Sequence, residues 1–558
     1  MAKITVDGKE YKVDPKLTVI QAAVQQGIEI PHFCWHPKLS VAGNCRMCLV
    51  EIEKMPKLGI ACATQVSEGM VIKTQNERVV KARNAVMEFL LINHPLDCPI
   101  CDEAGECKLQ DYAYKFSVGY SRFDEDKVHK PKRVELGPNV LLDVERCIMC
   151  SRCVRFSDEI AKQPVLTFTQ RGDHVVLTTF PGTQLDNAYS MNVIELCPVG
   201  ALTSTDFRFK SRVWEMSSTE GVCTGCSRGC NMNMWVRQNE LLRLTPRQNE
   251  DVNSYWMCDE GRLKTFKSVN SESRLNGPMI RKDGMLTPVG WDEAIAKVVS
   301  ELRQFKKNEI AGLGSAFATN EDNYVFLKFL KDVVGTKHID FMRHIRGEDD
   351  NLLIRADKTP NIRGAEEIGV RPAEAGKNFS AIVEGIKGGS IKALYVLDDN
   401  IAAVPEIASV LPNLELLIVH SSNQNETTNL ADIVFSASAY AEKNGTFTNF
   451  QGRVQRIRAA VTTLEQDRAL DGFEMSRWDK FAAHNDRWGR PAKKDARPSW
   501  RIMTAVASAM GNKMKYNSAE DVFKEMAEKV SAFKGLSYLK IGSGGALLKN
   551  VQAGVPVS

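Results

Sequence analysis

The distribution of cysteine is the feature that most constrains this sequence. All 15 cysteines lie between Cys34 and Cys258, and the 300 residues that follow contain none. Several stand in C-x2-C pairs, a spacing with which one short loop presents two thiolates to a metal centre. Together with one histidine they form four groups of four possible ligands, and no cysteine is left over. The groups are Cys34, Cys45, Cys48 and Cys62; His94, Cys98, Cys101 and Cys107; Cys147, Cys150, Cys153 and Cys197; and Cys223, Cys226, Cys230 and Cys258.

Three interpretations of these groups are possible. Each group is named below by its first residue. Disulfides fit poorly with an odd cysteine count, and the N-terminal segment lacks the apolar run of a secretory signal, so we expect a reducing compartment. Zinc is the stronger alternative because C-x2-C pairs also form zinc knuckles, and it is least excluded for the Cys223 group. The ten-residue gap before Cys45 and the C-x2-C-x2-C triplet at Cys147 favour iron–sulfur ligation.

Length and composition limit the other possibilities. A chain of 558 residues is too long for one core, and roughly three to five domains are expected. Apolar residues make up 43% and charged residues 25%, as in ordinary globular proteins, and a net charge of +4 gives no case for nucleic-acid binding. No apolar run approaches the ~20 residues that span a bilayer, so we expect membrane contact only through partner proteins.

Residues 1–80 carry the Cys34 group. Two strand-like segments flank an Asp7-Gly8 turn, which predicts a hairpin, and residues 17–26 predict a short helix that stops at Gly27. The pattern resembles the plant-type [2Fe–2S] ferredoxin, a β-grasp fold, although the first gap is longer than C-x4-C.

Residues 81–93 predict a helix with Ala85, Phe89 and Ile92 on its apolar face, ended by His94-Pro95. His94 has two interpretations. A lone histidine at a helix end often bonds to free carbonyls, but the three cysteines that follow would then lack a fourth ligand. The need for a fourth ligand therefore favours His94.

The two remaining groups follow in turn. Cys147, Cys150 and Cys153 form the bacterial ferredoxin triplet, and Cys197 precedes Pro198 as the remote fourth ligand. No second triplet lies near Cys197, so a single cluster is the simplest interpretation of these four cysteines. The Cys223 group belongs to a small strand-rich module.

Beyond residue 265 the pattern changes to alternating strands and helices. Helical spacing begins near Trp291, and strands are predicted at residues 310–315, 393–397 and 414–419, which together imply a parallel, doubly wound sheet. Gly312-x-Gly314 is too short for a dinucleotide fingerprint and is expected only to make the turn after a strand, so no NAD site is predicted.

The order of the four groups, with a histidine-containing group second, closely resembles the large iron–sulfur subunit of bacterial respiratory complex I. The resemblance implies a [2Fe–2S] cluster on the Cys34 group and [4Fe–4S] clusters on the His94, Cys147 and Cys223 groups, the last found in only some members. It also implies that electrons pass from the Cys34 group to the Cys147 group and then to the His94 group, with the Cys223 group off this line.

The implied function is electron relay in NADH:quinone oxidoreductase, from a flavin-bearing, NADH-binding subunit toward a quinone-site partner. The implied partners are that subunit and other subunits of the peripheral arm, and the implied location is the cytoplasmic side of the bacterial inner membrane, as a peripheral protein. The chain itself is expected to have no catalytic residue and no substrate site.

The second half resembles the molybdopterin-oxidoreductase fold in three segments, which begin at Trp291, Ala431 and Glu442. Members of that superfamily generally offer cysteine, serine or selenocysteine to the metal, and many carry lysine where Glu260 stands. We therefore expect a relict structural domain without molybdenum.

The fold class is α+β and α/β multidomain. The expected domains are 1–80 (β-grasp), 81–140 (His94 group), 141–215 (ferredoxin-like), 216–265 (Cys223 group) and 266–558 (molybdopterin-oxidoreductase-like).

Two other functions remain as alternatives. One is an iron–sulfur subunit of an NAD-linked formate dehydrogenase or hydrogenase, although the downstream cysteines or molybdenum ligand of a catalytic subunit are missing. The other is a zinc-stabilised assembly scaffold, which a colourless, fully matured protein would indicate.

Overall fold

The computed structural model describes residues 1–372, 376–466 and 493–549. The chain divides into two compact units, Met1–Glu215 and Met216–Ser558. The Cys34, His94 and Cys147 groups belong to the first unit, and the Cys223 group belongs to the second.

The first unit opens with a small mixed sheet and one helix. Its elements are β1 (Ala2–Val6), β2 (Lys9–Val13), α1 (Val19–Gln25), β3 (Leu49–Ile52), β4 (Gly59–Ile60) and β5 (Val71–Lys73). The strand order is β2-β1-β5-β3-β4, with β1 antiparallel to β2 and parallel to β5. Helix α1 begins at a capping box in which Thr18 accepts a hydrogen bond from the Gln21 amide. Its buried face packs on the sheet, as the predicted β-grasp domain requires.

The rest of the first unit consists of short elements joined by loops. They are α2 (Glu77–Ile92), α3 (Lys108–Phe116), β6 (Val134–Glu135), β7 (Val140–Leu142), α4 (Arg152–Arg155), β8 (Leu166–Thr169), β9 (Val176–Thr179), α5 (Asn192–Leu196) and β10 (Leu202–Ser204). Strands β10, β7 and β6 form one small sheet, and β8 and β9 form a hairpin.

The apolar face predicted for helix α2 is wrong. Phe89 is 77% exposed, whereas Val79, Arg83 and Met87 are buried. These three recur every four residues, so one stripe of the helix faces inward with an arginine at its centre. The Arg83 guanidinium donates to the Leu49 carbonyl at 3.1 Å, which satisfies part of its hydrogen-bonding capacity without solvent.

The second unit begins with an antiparallel sheet and a helix that carry the Cys223 group. These are β11 (Ser217–Val222), β12 (Asn231–Arg237), β13 (Glu240–Pro246) and α6 (Asp259–Val269), with strand order β11-β12-β13.

A seven-stranded sheet forms the centre of the second unit. Its elements are β14 (Met279–Lys282), β15 (Met285–Pro288), α7 (Trp291–Leu302), β16 (Ile310–Ser315), α8 (Asn320–Lys328), β17 (His338–Met342), α9 (Ile362–Ile368), α10 (Phe379–Lys387), β18 (Ala393–Leu397), α11 (Pro405–Ala408), β19 (Leu416–Ser421), α12 (Glu426–Leu430) and β20 (Ile433–Ser436). The order is β15-β14-β20-β19-β18-β16-β17, and the five strands from β20 to β17 are parallel.

Each face of this sheet is covered by its own hydrophobic core. In β18, Ala393, Tyr395 and Leu397 join one core, while Leu394 and Val396 join the other. Alternating side chains that are all buried are typical of a parallel strand between two layers of helices. The predicted doubly wound arrangement is confirmed.

Gly312 and Gly314 do not make a turn, contrary to the prediction from sequence. Both lie inside the buried strand β16. A Cβ on Gly312 would stand 2.0 Å from a Leu330 methyl, and one on Gly314 would stand 2.7 Å from a Val370 methyl. Glycine is needed there because neighbouring side chains pack directly on the strand backbone.

The chain ends with a three-stranded sheet, ordered β21-β22-β23, and further helices. The elements are β21 (Gly445–Thr448), β22 (Arg453–Ile457), α13 (Ser499–Ala509), α14 (Ala519–Lys529), α15 (Tyr538–Ile541) and β23 (Ala546–Leu547).

Candidate iron–sulfur centres

Three pairs of thiols in the Cys34 group lie within hydrogen-bonding distance. Cys34 interacts with Cys45 and Cys62, and Cys62 also interacts with Cys48. Cys34, Cys48 and Cys62 are buried, and Cys45 is partly buried. Hydrogen bonds from Cys45 and Cys62 lower the pKa of the Cys34 thiol and favour the thiolate, the form that binds metal.

Local backbone geometry forms this pocket. Gly43 and Arg46 adopt left-handed conformations, with φ of 63° and 58°, so the chain turns sharply before and after Cys45. The Ala61 amide donates to the Cys48 carbonyl at 3.1 Å and holds the Cys62 segment beside β3.

The His94 group is the most open of the four. Cys98 is exposed in a short 3-10 turn, and Cys107 stands immediately before α3. Cys101 interacts electrostatically with both of these thiols. Burial raises the pKa of Cys107 to about 12.

His94 follows the end of α2 and is half-buried. Burial, reinforced by the charge of Arg146, lowers the pKa of His94 to about 4, so the imidazole is neutral at physiological pH, as a metal ligand must be. Arg146 also acts on Cys101. His94 therefore shares a charged neighbour with this thiol, and its role as a ligand stays a prediction.

The Cys147 group is enclosed. Met149 and Ser151 adopt positive φ angles of 52° and 60°, which turn the loop between the cysteines, and Cys197 caps the C-terminus of α5. Cys153 interacts electrostatically with the other three thiols. Burial raises the pKa of Cys147 to about 12, and it also raises the pKa values of Cys153 and Cys197 well above the usual value of a thiol.

The Cys223 group brings together the loops that follow β11 and precede α6. Cys230 interacts electrostatically with Cys223, Cys226 and Cys258, and the Cys223 amide donates to the Cys230 carbonyl at 2.8 Å. Burial raises the pKa of Cys258 to about 12.

Glycine amides and close backbone approach complete the Cys223 group. The Gly225 amide donates to the Cys223 sulfur at 3.4 Å, and the Gly261 amide donates to the Cys258 sulfur at 3.3 Å. A Cβ on Gly261 would stand 2.9 Å from the Cys223 sulfur. Amide donors to sulfur are one of the means by which proteins stabilise and tune iron–sulfur clusters.

The donor sets fit iron–sulfur clusters. All 15 cysteines are free of disulfides, and most are removed from solvent. Enclosed thiols with raised pKa values would stay protonated by themselves, whereas a bound metal centre deprotonates its thiol ligands. The three all-cysteine groups and the three cysteines of the His94 group are each brought together.

Several neighbours of these groups were not predicted from sequence. Arg212 donates to the carbonyls of Pro99 and Cys101, the latter at 2.5 Å, and a Cβ on Gly200 would stand 2.2 Å from the Cys101 sulfur. Arg152 and Arg155 contact the Cys34 and Cys147 groups. A sequence carries no signal for such residues, because each meets its partner only through folding over long separations.

A separate cavity of about 430 Å³ lies at the carboxyl ends of the parallel strands. Its lining includes His344, Asp398, Asp399 and Lys443. Lys443 pairs with the buried Asp322 at 2.8 Å and with Asp398 at 3.5 Å, so its charge is matched within the protein. Glu260 lies beside the Cys223 group and pairs with Arg346 and Lys264.

No helix in the described ranges is both long and apolar enough to cross a membrane.

Models of five protein families match successive parts of the chain. They are the 2Fe-2S iron-sulfur cluster binding domain (residues 1–77), the NADH-ubiquinone oxidoreductase-G iron-sulfur binding region (83–122), the ferredoxin-like domain of NADH-quinone oxidoreductase subunit 3 (137–203), the NADH-ubiquinone oxidoreductase NDSU1/NuoG-like 4Fe-4S domain (217–265) and molybdopterin oxidoreductase (274–359 and 363–469). Each of the four ligand groups falls entirely within one of these matches, in the predicted order. The chain thus contains 2Fe-2S and 4Fe-4S binding domains.

Curated relatives agree with the family models. The G subunit of NADH-quinone oxidoreductase from Rickettsia bellii is 42% identical over 333 residues, which is 60% of this chain and 48% of the relative. The mitochondrial NADH dehydrogenase [ubiquinone] iron-sulfur protein 1 of Solanum tuberosum is 43% identical over 404 residues, or 71% and 54%. The chain spans about half the length of the curated relatives it matches.

A solved structure of an NAD+-reducing [NiFe]-hydrogenase is 31% identical to part of the chain. The match covers 38% of this chain and 91% of the hydrogenase chain. Its TM-score is 0.35, which is too low to support a structural inference. The family matches and the curated relatives confirm the resemblance predicted from the cysteine motifs: the chain is related to the large iron–sulfur subunits of NADH-quinone oxidoreductase.

Proposed function

We propose that the chain is an electron-relay iron–sulfur subunit of NADH:quinone oxidoreductase. In this role it takes electrons from a flavin-bearing, NADH-binding subunit and passes them toward the quinone site through other peripheral-arm subunits. It is peripheral to the membrane, on the cytoplasmic side, and contacts the membrane only through the complex.

The observation that best supports this proposal is the arrangement of the 15 cysteines in four separate groups. Residues up to 121 positions apart in sequence, such as Cys34 and Arg155, contact each other within the same unit. An electron relay requires several centres at fixed spacing, not one centre beside a substrate pocket. Ligand loops held by such long-range contacts inside a compact unit supply fixed positions.

The residues assigned to each cluster are those predicted from sequence. Cys34, Cys45, Cys48 and Cys62 would hold a [2Fe–2S] cluster, and the His94, Cys147 and Cys223 groups would each hold a [4Fe–4S] cluster. Bound clusters of these types supply one-electron oxidation and reduction. The side chains described here would bind them, and the largely buried thiols of the Cys147 and Cys223 groups would limit the access of water.

The C-terminal α/β domain has a structural role in this proposal, without molybdenum. No cysteine follows Cys258, so a cysteine ligand for molybdenum is absent from this half of the sequence. The cavity at the strand ends is lined by acidic, amide and hydroxyl side chains, including Ser421, Ser422 and Ser438, beside an already paired Lys443. Molybdenum at stoichiometric amounts in protein purified from its natural host would contradict this part of the proposal.

Reconstitution with the flavin subunit tests the relay. The purified full chain, with its clusters assembled anaerobically, should accept electrons from a small reductant but neither oxidise NADH nor reduce quinone by itself. Adding the flavin subunit should make cluster reduction, followed as bleaching of visible absorbance, depend on NADH. Rapid NADH-dependent bleaching without a partner would mean that the chain holds its own nucleotide site, and a colourless matured protein would indicate a zinc scaffold.

A further inference from the structure

Arg152, the first residue of α4, lies between the Cys34 and Cys147 groups. It is 5% exposed. Its guanidinium donates to the Leu196 carbonyl at 3.2 Å and to the Trp35 carbonyl. Trp35 immediately follows Cys34, and Leu196 immediately precedes Cys197. One side chain therefore binds the backbone next to a ligand from each of the two groups.

Arg155, at the end of α4, repeats this arrangement. Its guanidinium donates to the carbonyl of Cys34 at 2.5 Å, to that of Cys150 at 3.4 Å, and to that of Ser40. The first and last residues of α4 thus connect the same two groups by hydrogen bonds to their ligand loops.

Arg152 lies among thiols and has no carboxylate partner in the described residues. No Asp or Glu in the described part of the chain forms an ion pair with it. Cys150, Cys197, Cys34 and Cys45 act on its charge, and Lys108 is a further cation nearby. A buried cation without a counter-ion is costly. Thiolates carrying a metal cluster would supply the missing negative charge on both sides of the guanidinium.

We propose that Arg152, assisted by Arg155, is a shared positioning residue that holds the Cys34 and Cys147 cluster sites at fixed spacing and sets the potentials of both. The inference rests on the proposed function, because it concerns centres that would exchange electrons. A nearby cation stabilises the reduced, more negative state of a cluster and so raises its midpoint potential. One cation between two centres raises both potentials together, so the difference between them changes less than either potential.

Redox titration of the full chain, followed by electron paramagnetic resonance, tests this proposal. In Arg152→Met we expect the Cys34 and Cys147 centres both to move to lower potential, each by at least a tenfold change in the reduced-to-oxidised ratio, about 59 mV for a one-electron couple. Arg152→Lys keeps the charge with fewer hydrogen bonds and should stay closer to the wild-type potentials. The His94 and Cys223 centres should not move.

Arg212→Met is the matched control, because it removes a guanidinium that binds the carbonyls of Pro99 and Cys101. It should move only the His94 centre. If Arg152→Met does not assemble its clusters, Arg155→Met decides, since that side chain is only partly buried and should shift the same two centres in the same direction. Fully loaded variants of both arginines with wild-type potentials would overturn the proposal.

The proposed function and the role of the two arginines can be tested separately. If the wild-type chain does not assemble these clusters, or does not reduce them from NADH through the flavin subunit, the proposed function fails. If it does both and the arginine variants keep wild-type potentials, only the role of Arg152 and Arg155 fails.

Discussion

At the scale of single residues, protonation and size decide which side chains can serve a metal centre. The low pKa of His94, about 4, leaves its imidazole neutral over the physiological range. The thiols of the Cys147 group have raised pKa values because they are buried, and they require a metal to become thiolates. Glycines take the positions where a Cβ would meet a ligand sulfur.

His94→Ala tests the histidine ligand. We expect it to change or abolish the signal of one [4Fe–4S] centre and to leave the [2Fe–2S] signal intact, because His94 lies in a loop separate from the Cys34 group. The measurement is low-temperature electron paramagnetic resonance of the reduced chain. His129→Ala is the control, since the His129 side chain is 86% exposed and pairs with Glu145. Unchanged signals from all centres would make His94 a helix-end residue only.

Gly261→Ala tests close packing at the Cys223 group. The added methyl would stand 2.9 Å from the Cys223 sulfur and 3.3 Å from the Cys258 sulfur, so a cluster there should be lost or strongly weakened. The iron content should fall by about four atoms per chain, the content of one [4Fe–4S] cluster. In the control Gly290→Ala, an added Cβ meets nothing within 4 Å, and iron content should not change. Full iron content in Gly261→Ala would contradict the assignment of this pocket.

At the scale of elements, a buried ion cluster connects three parts of the α/β domain. Lys443 lies just before β21, Asp322 in the first turn of α8, and Asp398 just after β18. Asp322 and Lys443 are 0% and 3% exposed as side chains. Burial opposes ionisation of Asp322, but Lys443 and its hydrogen bond hold the Asp322 pKa below the ordinary value. The pairing therefore fixes how the helix, the strand and the following sheet meet.

Lys443→Met should destabilise the C-terminal domain by about 3–5 kcal/mol, because it leaves a buried carboxylate without its partner. Denaturant unfolding followed by tryptophan fluorescence measures this loss. Adding Asp322→Asn to the same chain should recover part of it, since the unpaired charge is then removed. The exposed pair Lys282–Glu293 provides the control, and Lys282→Met should cost about 0–1 kcal/mol. Equal costs for the two lysines would show that burial of the cluster is unimportant.

At the scale of the whole molecule, the two units divide the four ligand groups between them. The first unit, Met1–Glu215, contains three groups, and the second contains the Cys223 group together with the α/β domain. The four groups together would hold one [2Fe–2S] and three [4Fe–4S] clusters, of which only the three in the first unit lie on the implied relay.

The fully loaded chain should therefore contain about 14 iron atoms, one [2Fe–2S] and three [4Fe–4S] clusters. Iron and acid-labile sulfide analysis after anaerobic reconstitution provides the measurement. A plateau near about ten iron atoms, with zinc retained on the Cys223 group, would remove the fourth cluster and assign a structural zinc site there.

The sequence by itself determined the cysteine motifs and the doubly wound sheet, and it predicted the ligand groups and the order of the domains. These are local properties: C-x2-C spacing is set within one loop, and alternation of strands and helices is set by side-chain periodicity over a few residues. The family resemblance depended on the same local motifs, and the relatives confirm it.

Only the tertiary structure decided which residues surround these motifs. The helical pattern of α2 did not reveal that Arg83 faces inward and Phe89 outward, because the choice depends on Leu49, 34 residues away from Arg83. Arg152 reaches Trp35 across 117 residues and Leu196 across 44. A side chain at position 312 would clash with Leu330, which lies beyond the next helix. Contacts of this kind arise when distant segments pack together, and no local spacing records them.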